Sequence, residues 1–246
     1  IGASISGSGG SVRCSCAVDD VRVYNRALSA KEIQSLYKAG GGTAVAKSQT
    51  PTTKNVGINS GLVGHWTFDG NAMTNATATD VSGSSAHGRL TNMTATSSKS
   101  VGKVGQALTF DGVNDYIEVG PGKYSFTKTT PFSGSAWVKI SSTSSQMIMS
   151  NYQYLSDPGW HLFVSPAYAR GKLVFGLTDA ISGGRFVYGS TTVTDGLWHY
   201  VSFSYDGSNT AGGIKLYVDG RVEALTVYLD TDPGTLYDAS FIIGSV

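Results

Sequence analysis

From Leu62 to the end of this 246-residue chain, short β-branched and aromatic runs recur between turn signals, and that rhythm constrains the fold more than any other feature. Strands are expected near Leu62–Phe68, Ala107–Phe110, Tyr116–Val119, Gly134–Ile140, Met147–Ser150, Trp160–Val164, Leu173–Leu177, Phe186–Tyr188, Trp198–Tyr205, Ile214–Val218, Val222–Val227 and Phe241–Ile243. Asp-Gly pairs at 69–70, 111–112, 195–196, 206–207 and 219–220 punctuate them. The pair Asp219-Gly220 is a type I′ hairpin signal, because both central residues tolerate positive φ. No helical periodicity interrupts the region, so two packed antiparallel sheets are favoured over a parallel α/β fold.

Composition agrees. Forty per cent hydrophobic residues supply one sizeable core, while 32 glycines and only 14% charged residues suit many short strands joined by tight turns. The formal net charge is +1, with no basic run, which gives no electrostatic case for nucleic acid or an anionic membrane. No apolar stretch reaches the length of a membrane span. The opening Ile1-Gly2-Ala3-Ser4 does not resemble a signal segment, so the chain is expected to be a fragment or a processed product.

Residues 1–40 read as a strand and a short helix. Val18, Val21, Val23 and Tyr24 mark the strand; Ser29-Ala30-Lys31-Glu32 is a capping box; Ile33, Leu36 and Tyr37 fall on one helical face, with Gly40 at C′ as the stop. Residues 41–60, rich in Gly and Thr with Pro51 inside, read as a linker, and residues 61–246 as the main domain. Cys14 and Cys16 stand two apart on an extended segment and are expected to point to one face without disulfide geometry. His65, His87, His161 and His199 show no zinc spacing.

Five blocks carry a family resemblance: Gly61 to Asp69, Gly105 to Val119, Asp195 to Val201, Ile214 to Gly220, and Val18 to Ser29. Together they resemble successive blocks of laminin-G-like, pentraxin-like domains of the concanavalin A-like lectin/glucanase superfamily. The resemblance implies an all-β, antiparallel two-sheet jelly-roll sandwich with adjacent first and last strands. The order departs from the family, since its last block comes first here. The terminal strand is therefore expected to be permuted, lying antiparallel beside Leu62–Phe68. A linker of about twenty residues spans roughly 25 Å as a coil, enough to close the sheet within one chain. The same geometry also allows the strand to complete a neighbouring copy.

Catalysis is disfavoured. Retaining glycosidases need two carboxyls about 5–5.5 Å apart, and the chain has only three glutamates, Glu32, Glu118 and Glu223, none with a partner carboxylate two or four residues away on a strand. Asp230 and Asp232 share a face spacing but adjoin Pro233-Gly234, which favours a turn. No Gly-x-Ser-x-Gly elbow, phosphate loop or His-Glu-x-x-His occurs.

Two binding chemistries remain. The resemblance implies a structural Ca²⁺ held by an Asp just before the Val21-Arg22-Val23-Tyr24 strand; Asp19 matches that place, with Asp69 at the end of the first strand beside it. The alternative is that Asp19 faces water and Asp69 serves its Asp-Gly turn. Carbohydrate contact needs exposed aromatics with nearby polar groups, and Tyr152, Tyr154, Asp157, Trp160 and Tyr188 are the richest such cluster; Trp66, Trp137 and Trp198 read as packing residues. Asn75-Ala76-Thr77 and Asn92-Met93-Thr94 fit the glycosylation acceptor pattern. The expected function is a noncatalytic glycan-binding or adhesion module, extracellular or on a cell surface, whose partner is a carbohydrate or an extracellular protein surface. The alternatives are a structural repeat assembling with copies of itself by strand complementation and, more remotely, a degenerate glycoside hydrolase.

Overall fold

A computed structural model describes residues 12–41, 57–151, 158–165, 169–178, 183–234, 236 and 239–245. Most of the expected linker, residues 42–56, lies outside them. In chain order the elements begin with β1 (Ser15–Tyr24), α1 (Ala30–Gly41), β2 (Leu62–Trp66), β3 (Thr77–Ala78), β4 (Gly88–Thr91), α2 (Ala95–Ser98), β5 (Lys99–Val101) and β6 (Gln106–Asp111). They continue with β7 (Tyr116–Val119), β8 (Phe132–Ile140), β9 (Gln146–Ser150), β10 (Gly159–Ser165), β11 (Lys172–Thr178) and β12 (Gly184–Thr192). The last are β13 (Trp198–Tyr205), β14 (Ile214–Val218), β15 (Arg221–Val222), β16 (Thr226–Asp230) and β17 (Phe241–Ile243).

The strands form two antiparallel sheets. The first runs β15-β14-β13-β8-β1-β6-β5 with β2 also on β1, and the second runs β16-β12-β11-β10-β9-β17-β7-β4-β3. Alternation sends Ala136 and Val138 of β8 into the core between the sheets and Trp137 to the opposite face. An aromatic cluster fills the core: the Phe175 and Phe203 rings stack at 4.2 Å, and Phe132 packs on Trp160 at 5.3 Å.

The N-terminal strand is interior to its sheet, in the same chain. β1 lies against β8 on one side; on the other, Ser15–Val18 pair with β6 and Val21–Tyr24 pair with β2, with Val21 opposite Trp66. The three-residue step from Val18 to Val21 breaks strict alternation. A bulge between Asp19 and Arg22 absorbs the extra residue, so that Val18, Val21 and Val23 all reach the core.

Helix α1 covers the outer face of this sheet, burying Ile33 and Leu36 against Tyr24, Trp137, Tyr200 and Tyr217. The capping box forms as the sequence dictates: Ser29 N donates to Glu32 Oε2 at 2.9 Å and Glu32 N to Ser29 Oγ at 3.4 Å. Gly40 does not stop the helix, which runs on to Gly41; a Cβ at Gly40 would collide with the Trp137 indole, so its value here is close approach.

Three other expectations are corrected. The strand expected over Val222–Val227 is two strands in different sheets. Between them Glu223 accepts from the amides of Ser190 (2.7 Å) and Thr191 (2.6 Å), anchoring the crossing. The strand expected to reach Phe68 ends at Trp66, because Phe68 adopts φ +58°. Cys14 and Cys16 are joined by a disulfide: the chain contracts to a Cα–Cα distance of 5.2 Å, inside the bonding range, where fully extended backbone would give about 6.6 Å. Hairpin β14–β15 matches its signal, with Asp219 at φ +51° and Gly220 at φ +72°.

Candidate metal and ligand site

The point where β1 changes partner from β6 to β2 leaves its bulge, Asp19 and Asp20, without a strand on that side, while Asp19 stays opposite Trp137 of β8 on the other. The turn after β5 fills that gap. It is closed by Gly102 N donating to Gly105 O at 3.1 Å, and it offers two amides: Val104 N donates to Asp19 Oδ2 at 2.9 Å, and Gln106 N to Asp69 Oδ1 at 2.7 Å. The turn sits so close that a Cβ at Gly102 would come within 2.7 Å of Asp19 Oδ2, and one at Gly105, where φ is +63°, would overlap Asp69 Oδ1. Asp19 and Asp69 thus line one cavity of about 170 Å³ together with Asp20, Arg22 and His65.

The carboxylates in this cavity differ in how they are satisfied. Asp20 is engaged by His65 Nε2 at 2.6 Å and by Arg22 Nε at 3.2 Å. Burial alone would raise its pKa, but the His65 hydrogen bond and the Arg22 charge outweigh it and hold Asp20 below the usual carboxylate range. Asp19 is fully buried and its Oδ1 has no hydrogen-bond partner. Burial pushes its pKa up to about 7, against the Val104 amide and with help from the charges of Asp20 and Asp69. Asp69 is raised as well, again mainly by burial. Two adjacent carboxyls that resist ionisation, one with an orphaned oxygen, form a site short of positive charge. Among the described residues no group of three or more His, Cys, Asp and Glu gathers for a metal. A bound cation would draw on these two carboxylates plus carbonyl or water oxygens, the hard-oxygen set that Ca²⁺ accepts.

A second cavity of about 320 Å³ lies on the other side of the 67–70 stretch: Phe68, Gly70 and Gln106 line it, while Thr67 and Asp69 line the first. Phe68 is the hinge between them. A buried bulky residue at φ +58° costs on the order of 1–3 kcal/mol, and such strain clusters at binding sites. Phe68, Met73 and Leu108 supply its apolar surface, and Asn75, Thr96, Lys99 and Gln106 its polar groups. Sequence reasoning missed this cavity, since its walls come from short elements, β5 and α2, that no periodicity announces. The one available signal was a bulky residue immediately before an Asp-Gly turn.

Of the expected aromatic platform, only Trp160 and Tyr188 fall within the described residues. Tyr152, Tyr154 and Asp157 lie outside the described residues. Trp160 is corrected: it is fully buried, packed on Phe132, Phe203 and Phe241, with Nε1 donating to Tyr124 O at 3.3 Å. Its alternation on β10 points inward, and loop-like surroundings in sequence concealed that. Tyr188 is half-buried on the other face of the second sheet, with Lys172 Nζ 5.9 Å from its ring centroid. Trp66 and Trp137 are packed and Trp198 is half-buried.

The carboxylates considered for catalysis are engaged in structure. Glu32 meets Arg26 at 2.6 Å, Glu118 meets Arg89 at 2.7 Å, and Glu223 holds the β12 amides. Asp230 meets Arg185 at 3.0 Å, and Asp232 meets Lys128 at 2.6 Å.

A family model described as the concanavalin A-like lectin/glucanases superfamily, of laminin-G type, matches residues 110–245. No curated protein matches the chain. Among solved structures, mouse laminin alpha1 chain domains LG4-5 are 17% identical with a TM-score of 0.37, over 50% of this chain and 30% of that one. The native heptameric SAP-like pentraxin from Limulus polyphemus is 14% identical with a TM-score of 0.32, over 48% of this chain and 52% of that one. The chain therefore spans about a third to a half of the length of these two structures.

Proposed function

Since the chain belongs to the concanavalin A-like lectin/glucanases superfamily, we propose that it is a noncatalytic glycan-binding or adhesion module whose β1 bulge is held by a calcium ion between Asp19 and Asp69. One observation carries the metal reading: the buried Asp19 Oδ1 has no partner, beside a second carboxyl whose pKa is also raised. A cation there supplies what both groups lack and ties β1 to the turn after β5. It would serve to fix this end of the sandwich for binding. A noncatalytic role is supported by the glutamates, each of which holds a backbone segment or an arginine. The Cys14–Cys16 disulfide supports an oxidising, extracellular setting.

Calorimetric titration of the chelator-treated protein with CaCl₂ tests the metal, and an oligosaccharide array read with calcium and with chelator tests the ligand class. Heat of binding in wild type that disappears in Asp19→Asn and Asp69→Asn supports the calcium site. No heat in wild type removes it. Retention of protein in place of sugar moves the reading from glycan to adhesion. The alternative of strand exchange between copies gains nothing from a β1 that pairs with β2, β6 and β8 of its own chain.

A further inference from the structure

The structure assigns to the last turn of α1 a third wall of the cation cavity, through which a bound ion holds this helix on the sandwich; the inference rests on the calcium reading above. Besides Asp19, Asp69 and Val104, the 170 Å³ cavity is lined by Ala39 and Gly40 of α1. Neither of these two residues has a side-chain oxygen, so the polar atoms this wall can present are those of the backbone. α1 ends at Gly41, and the carbonyls of residues 38–41 find no donor within the helix. They carry the negative end of the helix dipole, and they are neutral hard oxygens of the kind Ca²⁺ takes alongside carboxylates.

Packing brings the helix end to the site but does little to keep it there. Gly40 lies against Trp137 Nε1, and the same indole has Lys103 Nζ 5.1 Å from its ring centroid. Lys103 belongs to the turn whose neighbouring amides donate to Asp19 and Asp69, so one ring seats both the α1 end and that turn. Ile33 and Leu36 anchor the earlier part of α1 on the aromatic face of the sheet, whereas Gly40 is the only buried residue among 38–41. The nearby cations are spoken for. Arg22 and His65 are engaged by Asp20, and Lys99 offsets part of the Asp69 charge. Asp19 keeps a buried oxygen without a partner, facing the negative end of the helix across the cavity. An ion bound to Asp19, Asp69 and the α1 carbonyls supplies the anchorage that this turn lacks in side chains.

The test follows amide hydrogen exchange of the whole chain in chelator and in CaCl₂ at about ten times the Kd found by calorimetry. At that concentration mass action slows any opening that must first release the ion about tenfold. The amides of residues 38–41 are expected to slow by this factor, while those of β16, an edge strand of the other sheet, exchange unchanged. Asp19→Asn should erase the difference. Gly40→Ala, which forces the turn off the indole, should weaken calcium binding and free residues 38–41; adding Trp137→Phe, a smaller ring, should restore both. Equal exchange of residues 38–41 in calcium and in chelator overturns the inference, as does equal slowing of α1 and β16, which would mark general stabilisation. Wild-type affinity and exchange in Gly40→Ala overturns it too, and if that variant does not fold, the wild-type exchange decides alone. The two levels of failure separate: calcium heat that Asp19→Asn removes, with α1 exchange unaltered, leaves the metal site standing without its helix wall, whereas no heat in wild type removes both.

Discussion

Asp19 and Asp69 are joined through one four-residue turn: the amide of Val104 donates to Asp19 and that of Gln106 to Asp69, at 2.9 and 2.7 Å. One carboxyl comes from β1 and the other from the segment after β2, far apart in sequence. Their proximity follows from β1 leaving β6 for β2 at the Asp19 bulge, which opens a gap that the Gly102–Gly105 turn enters.

Asp19→Asn is expected to stabilise the calcium-free protein at pH 8 and to do little at pH 4. With a folded pKa near 7 against an unfolded value of about 3.9, the native state holds its proton while the unfolded state releases it, so stability falls as pH rises between the two. The cost at pH 8 has a ceiling of about 4 kcal/mol. Urea unfolding in chelator at both pH values checks it; a variant less stable than wild type at pH 8 refutes the burial argument. Calcium should stabilise wild type and leave Asp19→Asn unchanged.

Gly105→Ala should loosen both carboxylates at once. An L-residue at φ +63° is strained, and its methyl group overlaps Asp69 Oδ1, so a loss of about 1–3 kcal/mol and a weakened calcium response are expected. Thermal unfolding with and without calcium reads both effects. An unchanged midpoint would show that the turn is free to move aside.

Trp160→Ala should fail as a binding mutant and succeed as a stability mutant, costing about 3–5 kcal/mol as a large-to-small change in the aromatic core. Trp160→Phe should restore much of that loss. A folded Trp160→Ala of wild-type stability would return the residue to the surface.

His199 predicts a pH dependence of opposite origin. Its Nδ1 lies 2.9 Å from Asp219 and its Nε2 3.1 Å from Asp195, so both contacts form as donated hydrogen bonds only in the imidazolium. The hydrogen bond to Asp219 raises its pKa, above a smaller effect of burial. A raised histidine contributes stability that is complete below the unfolded value of about 6.5 and disappears as pH climbs through the folded pKa. His161 acts in the other window: burial pushes it down to about 3, so stability declines as pH drops below about 6.5. Unfolding midpoints between pH 4 and 9 should show both limbs, and His199→Asn should flatten only the alkaline one.

Removing residues 1–41 should unfold the protein, because the deleted β1 lies between β8 on one side and β6 and β2 on the other. Circular dichroism of the truncated chain checks this, and a folded monomer of wild-type stability would contradict the pairing. A synthetic peptide of residues 12–41 added in trans should restore β signal.

Much of the fold was legible in local pattern. β7, β13, β14 and β17 fall at the residues their alternation marks, the Ser29–Glu32 cap forms, and Asp219-Gly220 takes the backbone its chemistry allows. The Val18 to Val21 step even carried the bulge, although its meaning emerged only with β1 between its partners. These features depend on side-chain period and on φ preferences, which neighbouring residues fix.

Tertiary structure alone decided the rest. β3, β4 and β5 are short polar runs that become strands only when a neighbour supplies their hydrogen bonds. Trp160 could belong to a surface or a core until the first sheet, through Phe132 and Phe203, closed over it. Residue type identified Asp19 and Asp69 as candidate oxygen ligands; the orphaned oxygen, the raised pKa values and the adjoining cavity depend on burial and on amides contributed from residues 104 and 106. Local preference acts between residues near in sequence, whereas desolvation acts between whatever surfaces the fold brings together, and so the strands could be read from the chain while the site required the sandwich.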